Sequence, residues 1–135
     1  MLIYKRIIYE EKNKLEWQVE YYKKENGDIP VLDFLLLLSK KIRAKAFSEI
    51  NLLKRHGKNL KEPYVKAIKG EKYKGLFELR IKFASDISRI FYFCYSNNTF
   101  VLLNGFVKKT TEAPINELEK VLKFKNDYER RSFYE

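Results

Sequence analysis

The chain has 135 residues, of which 45% are hydrophobic and 34% charged, and 28 basic residues outnumber 18 acidic ones for a net charge of +10. That length fits one domain with a single core, here taken as residues 1–135, and the composition excludes a disordered chain. The charge points to a polyanionic partner, nucleic acid first. No run approaches the ~20 apolar residues of a membrane span, charged residues interrupt any leader-like core at the N-terminus, and the one cysteine, Cys94, has no partner. A reducing, cytoplasmic setting is expected, with no membrane contact.

In chain order, residues 1–12 alternate poorly and read as a short strand or an N-terminal extension. Trp17 to Tyr22 predicts a first strand. Asn26-Gly27-Asp28 marks a turn, and Pro30 suits the first turn of a helix. The leucine-rich run that follows predicts a short buried helix, ended by Ser39. A second helix is expected over Lys40 to His56, where Ile42, Ala46, Ile50 and Leu53 recur at helical spacing, with Gly57 as its stop. His56, the only histidine, reads as structural. Residues 58–75 form a basic connector, whose Lys69, Lys72 and Lys74 lie just before the central motif.

That motif, Gly75 to Lys109, predicts three strands in a meander. Leu76 to Phe83 alternates, with Phe77, Leu79, Ile81 and Phe83 on one side and Glu78, Arg80 and Lys82 on the other. Ile87 to Tyr95 is apolar almost throughout, as a central strand covered on both faces would be. Thr99 to Val107 leads into Lys108 and Lys109. A two-residue turn at Ser85-Asp86 sets Arg80 opposite Phe91 and Lys82 opposite Arg89. A turn at Asn97-Asn98 sets Phe91 opposite Asn104 and Arg89 opposite Phe106. Glu78, Arg80, Lys82, Arg89, Phe91 and Asn104 then share one face, with Leu103 on the other. Beyond the meander, Pro114 opens a last helix with an apolar stripe of Ile115, Leu118, Val121 and Leu122. Residues 129–135 either extend it or form a flexible tail.

Two arginines and a lysine on one sheet face suit phosphate, since guanidinium groups pair bidentately with its oxygens. Glu78 could instead partner them internally. RNA cleavage by transphosphorylation needs a base for the 2′-hydroxyl, an acid for the leaving oxygen, and cations for the phosphorane charge. Arg80 and Arg89 supply the cations. A lysine of depressed pKa (Lys72, Lys108 or Lys109) or Glu78 is the proton carrier considered. Lys69, Lys72, Lys74 and Lys82 would contact the RNA backbone, Asn104 lies on the same face, and Phe91 or Tyr73 could stack on a base. The sequence holds no glycine-rich phosphate loop, no Cys/His metal spacing and no Ser/His/Asp set, so neither metal nor cofactor is expected.

The runs LFELR, SRIFYF and VLLNGFVKKT, followed by Pro114, resemble the phage-derived, HigB-like branch of the RelE/ParE toxin superfamily. The resemblance spans residues 17–128 in element order and is most specific over Gly75 to Pro114. It implies a RelE-like α+β fold: two N-terminal helices on an antiparallel sheet of about four strands, with a C-terminal helix. It implies a toxin of a type II toxin–antitoxin system that cleaves translated mRNA on the ribosome and is held inactive by an antitoxin, often a helix-turn-helix protein. Arg80, Arg89, Lys108 and Lys109 match the family's basic positions. Asn104 stands where histidine is usual, Phe124 where arginine is common, and Val121 where alanine is usual. The competing reading is a ParE-like non-nuclease toxin or a degenerate phage-derived binding protein. On the nuclease reading, Arg80→Ala and Arg89→Ala should each suppress toxicity with the fold largely intact.

Overall fold

The computed structural model describes residues 17–96, 98–108 and 113–134. The N-terminal extension, Asn97 and Lys109 therefore lie outside the described residues. The described residues form an α+β fold, with a five-stranded mixed sheet in the order β1-β5-β4-β3-β2 and three α-helices. The strands are β1 (Gln18–Tyr21), β2 (Val65–Ala67), β3 (Leu76–Phe83), β4 (Asp86–Tyr95) and β5 (Thr99–Lys108). The helices are α1 (Pro30–Leu37), α2 (Lys40–His56) and α3 (Ile115–Tyr134).

The expected antiparallel sheet of about four strands is thus corrected in two ways. β1 lies parallel to β5, pairing Gln18 with Thr99 and Tyr21 with Leu102. The basic connector contributes a further strand, β2, which pairs Lys66 with Glu78 antiparallel to β3.

Pro30 occupies the first turn of α1, and the Asp28 N–H is held by the Asn26 side chain at 2.9 Å in the turn before it. α1 is not the buried helix its leucines suggest. Val31 and Leu35 are buried, but Leu36 and Leu37 are 68% and 86% exposed. A two-turn helix can press only one side against the sheet, so an apolar run on all sides leaves the rest uncovered. Ser39 caps α2, accepting from the Ile42 N–H at 3.3 Å. Arg43 donates to the carbonyls of Leu35, Leu36 and Leu38 at 2.8, 3.0 and 3.0 Å, satisfying the last turn of α1. Gly57 ends α2 at a left-handed φ of 53°, and a Cβ there would meet the Trp17 ring.

Two apolar layers sandwich the sheet. One gathers Leu79, Ile81, Ile90, Tyr92 and Leu102 beneath α1 and α2. The other gathers Leu76, Phe91, Phe93, Val101 and Leu103 beneath Leu118 and Val121 of α3. Ile115, expected in the α3 stripe, is exposed instead.

The meander strands fall where predicted, but the register differs. Phe83 pairs with Asp86, so the first turn is Ala84-Ser85, with Ala84 at a φ of 54°. Asp86 belongs to the ladder, and a left-handed alanine carries none of the glycine or asparagine signature of such turns. The shift is two residues, so the alternation and the shared face survive. Arg80 now faces Arg89, Glu78 faces Phe91, and Lys82 faces Ile87. In the second hairpin Phe91 pairs with Asn104 and Arg89 with Phe106, as predicted. Nearer its turn a bulge shifts the pairing to Tyr92 with Leu102 and Tyr95 with Thr99. The extra residue carries Leu103 to the α3 face, correcting its predicted side.

α3 continues through the expected tail as far as Tyr134. Its second half is clasped to the β1–α1 connection: the Tyr22 hydroxyl donates to Asp127 at 2.6 Å, and Arg130 and Arg131 reach the same carboxylate at 2.7 Å. The Tyr22 hydrogen bond, then the two arginines, hold the Asp127 carboxyl below its usual range against the opposing effect of burial. Burial, then Asp127, pushes Tyr22 up to about 12. A depressed carboxyl stabilises the fold above its unfolded value, about 3.9, and loses that contribution as pH falls through the folded value. Tyr22 acts at the other end: its contribution is present below about 10 and is lost as pH rises through about 12. Thermal melts should therefore show Asp127→Asn to be less stable than the parent at neutral pH. Their melting temperatures should converge as pH is lowered below 4, roughly the unfolded carboxyl value.

Candidate nucleic-acid interface

β3 and β4 bring Arg80 and Arg89 directly opposite each other, so their side chains leave the same face of the sheet. Glu78, one row away, serves both. Its carboxylate lies 3.1 Å from Arg89 Nε and 4.0 Å from Arg80 Nε. Arg89 is the nearer partner. Two guanidinium groups share one carboxylate, which leaves the group one positive charge in excess.

The two arginines differ in setting. Arg89 is 2% exposed and Glu78 5%, whereas the Arg80 side chain is 28% exposed. Arg89 Nε and Nη1 and Arg80 Nε are buried and find no hydrogen-bond acceptor among the described residues, so the contacts to Glu78 are ion pairs. Burial of a charge at this depth demands compensation, and the Glu78 ion pair is what the described residues provide. Arg80 is the guanidinium that solvent, and hence a ligand, can reach.

The remaining predicted residues divide. Lys82 continues the face beyond Arg80 and is exposed, as are Lys69 and Lys74 on the connector. The backbone of Lys108 pairs with Ile87, one row from Arg89. Phe91, offered as a stacking platform, is fully buried beneath α3 and packs with Leu103 and Val121. Lys72 is ion-paired to Glu119 of α3, to which Tyr73 also donates at 2.9 Å. The hydrogen bond to Glu119 raises the Lys72 pKa, the opposite of what a lysine base needs. The same contacts, Lys72 first and then Tyr73, lower that of Glu119.

Asn104 donates to Glu117 of α3 at 3.5 Å, and Glu117 in turn pairs with Lys120 at 3.6 Å. Asn104 and Phe124, two of the three departures from the toxin pattern, both line an open groove of about 470 Å³ between α1 and α3, with Lys24, Lys120 and Lys123 on its walls. Phe124 stacks on Tyr22, and the Lys24 ammonium sits 5.3 Å from its ring centroid. The residue that sequence reasoning missed is Lys66. With Lys69 and Glu78 it lines a small cavity of about 90 Å³ under Leu118. The alternation of Val65 and Ala67 around Lys66 is the signal that could have placed it on the Glu78 face, but three residues are too few to read.

This arrangement can hold a phosphate against Arg80 with lysines on either side. Among curated proteins, none matches the chain. A model of the phage-derived, Gp49-like protein family (DUF891) matches residues 33–126, from α1 through most of α3 and including the whole meander. The chain belongs to that family, which is related to the RelE-like toxins of toxin–antitoxin systems.

Proposed function

We propose that the chain is a HigB-like toxin of a type II toxin–antitoxin pair, acting in the cytoplasm as an endoribonuclease on translated mRNA. The observation that carries this reading is the opposed pair Arg80 and Arg89 sharing a single carboxylate. In the proposed reaction a base takes the ribose 2′-hydroxyl proton, the 2′-oxygen attacks phosphorus, and the 5′-oxygen leaves with a proton from an acid. Arg80 meets the phosphorane charge, held in place by the buried Glu78–Arg89 pair behind it. The proton-carrying roles fall to Lys108 and Lys109. Glu78, buried and paired, orients the arginines. Lys69, Lys74 and Lys82 hold the flanking RNA backbone, and Asn104 lies one row further along. No metal takes part in this scheme.

An antitoxin, in this reading a helix-turn-helix protein, would neutralise the toxin, and the exposed Leu32, Leu36 and Leu37 of α1 offer it an apolar face. The direct test is primer extension on ribosome-bound mRNA from induced cells. New 5′ ends within translated frames support the reading. Growth arrest without cuts overturns it in favour of a ParE-like non-nuclease toxin. Asn104 in place of the usual histidine and Phe124 in place of the common arginine favour that second reading, and a DNA-damage response on induction would mark it.

A further inference from the structure

α2 lies on the face of the sheet away from Arg80 and Arg89, against Leu79, Ile81 and Ile90. Its inner positions Ala46, Ile50 and Leu53 are buried, and its outer positions carry charge of one sign. Lys40, Ser48, Asn51 and Arg55 recur at spacings that place them on one side of the helix, and all four are exposed. Lys41 and Lys54 flank them, and Lys58 follows just past the helix end. The helix has one carboxylate, Glu49, which is buried and paired with Lys45 at 3.6 Å, so it does not offset this outer face. Ser48, Asn51, Leu52, Lys54 and Arg55 border a shallow depression.

We propose that the outer face of α2 is a second nucleic-acid surface, which grips double-helical RNA by its backbone independently of the Arg80 site. The basic pair Lys40 and Lys41 and the basic pair Lys54 and Arg55 stand about 20 Å apart along the helix, at ~1.5 Å per residue. Between them lie two neutral hydrogen-bonding side chains, Ser48 and Asn51. Two rows of cations separated by neutral donors match the two phosphate rows and intervening 2′-hydroxyls across the shallow minor groove of an RNA duplex. Phe47, the large apolar side chain exposed beside them, can lie against ribose. A helix face meant only to keep the protein dissolved would mix both signs of charge.

The inference concerns binding alone, so its test does not depend on cleavage. Anisotropy titrations would use the full chain with a blunt 20-base-pair RNA duplex and with DNA of the same sequence. Lys54→Gln/Arg55→Gln should weaken RNA-duplex binding at least tenfold and lower the slope of log affinity against log salt by about 2, at ~0.9 per lost phosphate contact. Lys23→Gln/Lys125→Gln removes the same charge elsewhere and should have a much smaller effect. Ser48→Ala/Asn51→Ala should abolish the preference for RNA over DNA. Equal losses in the two charge variants would reduce the effect to net charge and overturn the proposal. So would DNA bound as tightly as RNA by the parent chain, or a polyglutamate peptide bound as tightly as the duplex and equally sensitive to Lys54 and Arg55.

Discussion

Replacement of Arg80 by alanine is expected to slow mRNA cleavage by about a hundredfold while leaving the melting temperature close to that of the parent. Arg80 is part-exposed and lies 4.0 Å from Glu78, so its removal leaves the closer Glu78–Arg89 pair intact. What is lost is a preorganised donor to the developing phosphorane charge, of order 3 kcal/mol in transition-state stabilisation. Growth after induction, primer extension and a thermal melt of the same variant together check this. A folded Arg80→Ala protein that cuts as well as the parent would remove Arg80 from the catalytic group, and an unfolded one would make it a structural residue.

Arg89→Ala should behave differently, and here the expectation drawn from sequence is revised. Arg89 is fully buried against Glu78, and its truncation leaves a buried carboxylate with only the looser Arg80 contact at 4.0 Å. Breaking a buried pair in this way costs about 3–5 kcal/mol, a large part of the ~5–15 kcal/mol that holds a domain together. Loss of toxicity in Arg89→Ala would therefore report unfolding, not chemistry. The double variant Glu78→Leu/Arg89→Met removes both charges and keeps volume, so it should regain most of the lost stability. Urea denaturation of the three proteins decides the matter. A single variant as stable as the parent, or a double variant no better than the single, would show that the pair does not set stability.

The meander was legible from its alternation, and α2 from its apolar spacing between Ser39 and Gly57, because both patterns are local and long enough to repeat. Long-range geometry was not legible. Nothing in QVEY announces a parallel partner on β5, and β2 is three residues of connector that become a strand only because β3 is beside them. The register slip came from a turn whose left-handed residue is alanine, and the bulge from a residue that no pattern singles out. The charged face itself was predicted correctly because an even slip preserves parity. Its division into a buried and an accessible arginine was not, since burial depends on what distant parts of the chain lay over each strand. The placing of α3 over this face was equally hidden. Its packing on Phe91 turned that residue from a binding surface into core.

The parallel pairing of β1 with β5 also bears on how the chain assembles. Gln18 meets Thr99, a closure of about 80 residues, whereas the β3–β4–β5 meander closes through tight turns. Loop-closure entropy favours the short closures, so the meander should form first and β1 should be the last of its partner strands to dock. Native-state amide exchange should accordingly find β1 opening at lower free energy than β4. During synthesis β1 emerges early but waits for β5, and the α3 clasp on Tyr22 comes later still. A nascent chain stalled before residue 99 would hold no complete sheet, and the arginine pair would exist only once most of the protein had been made.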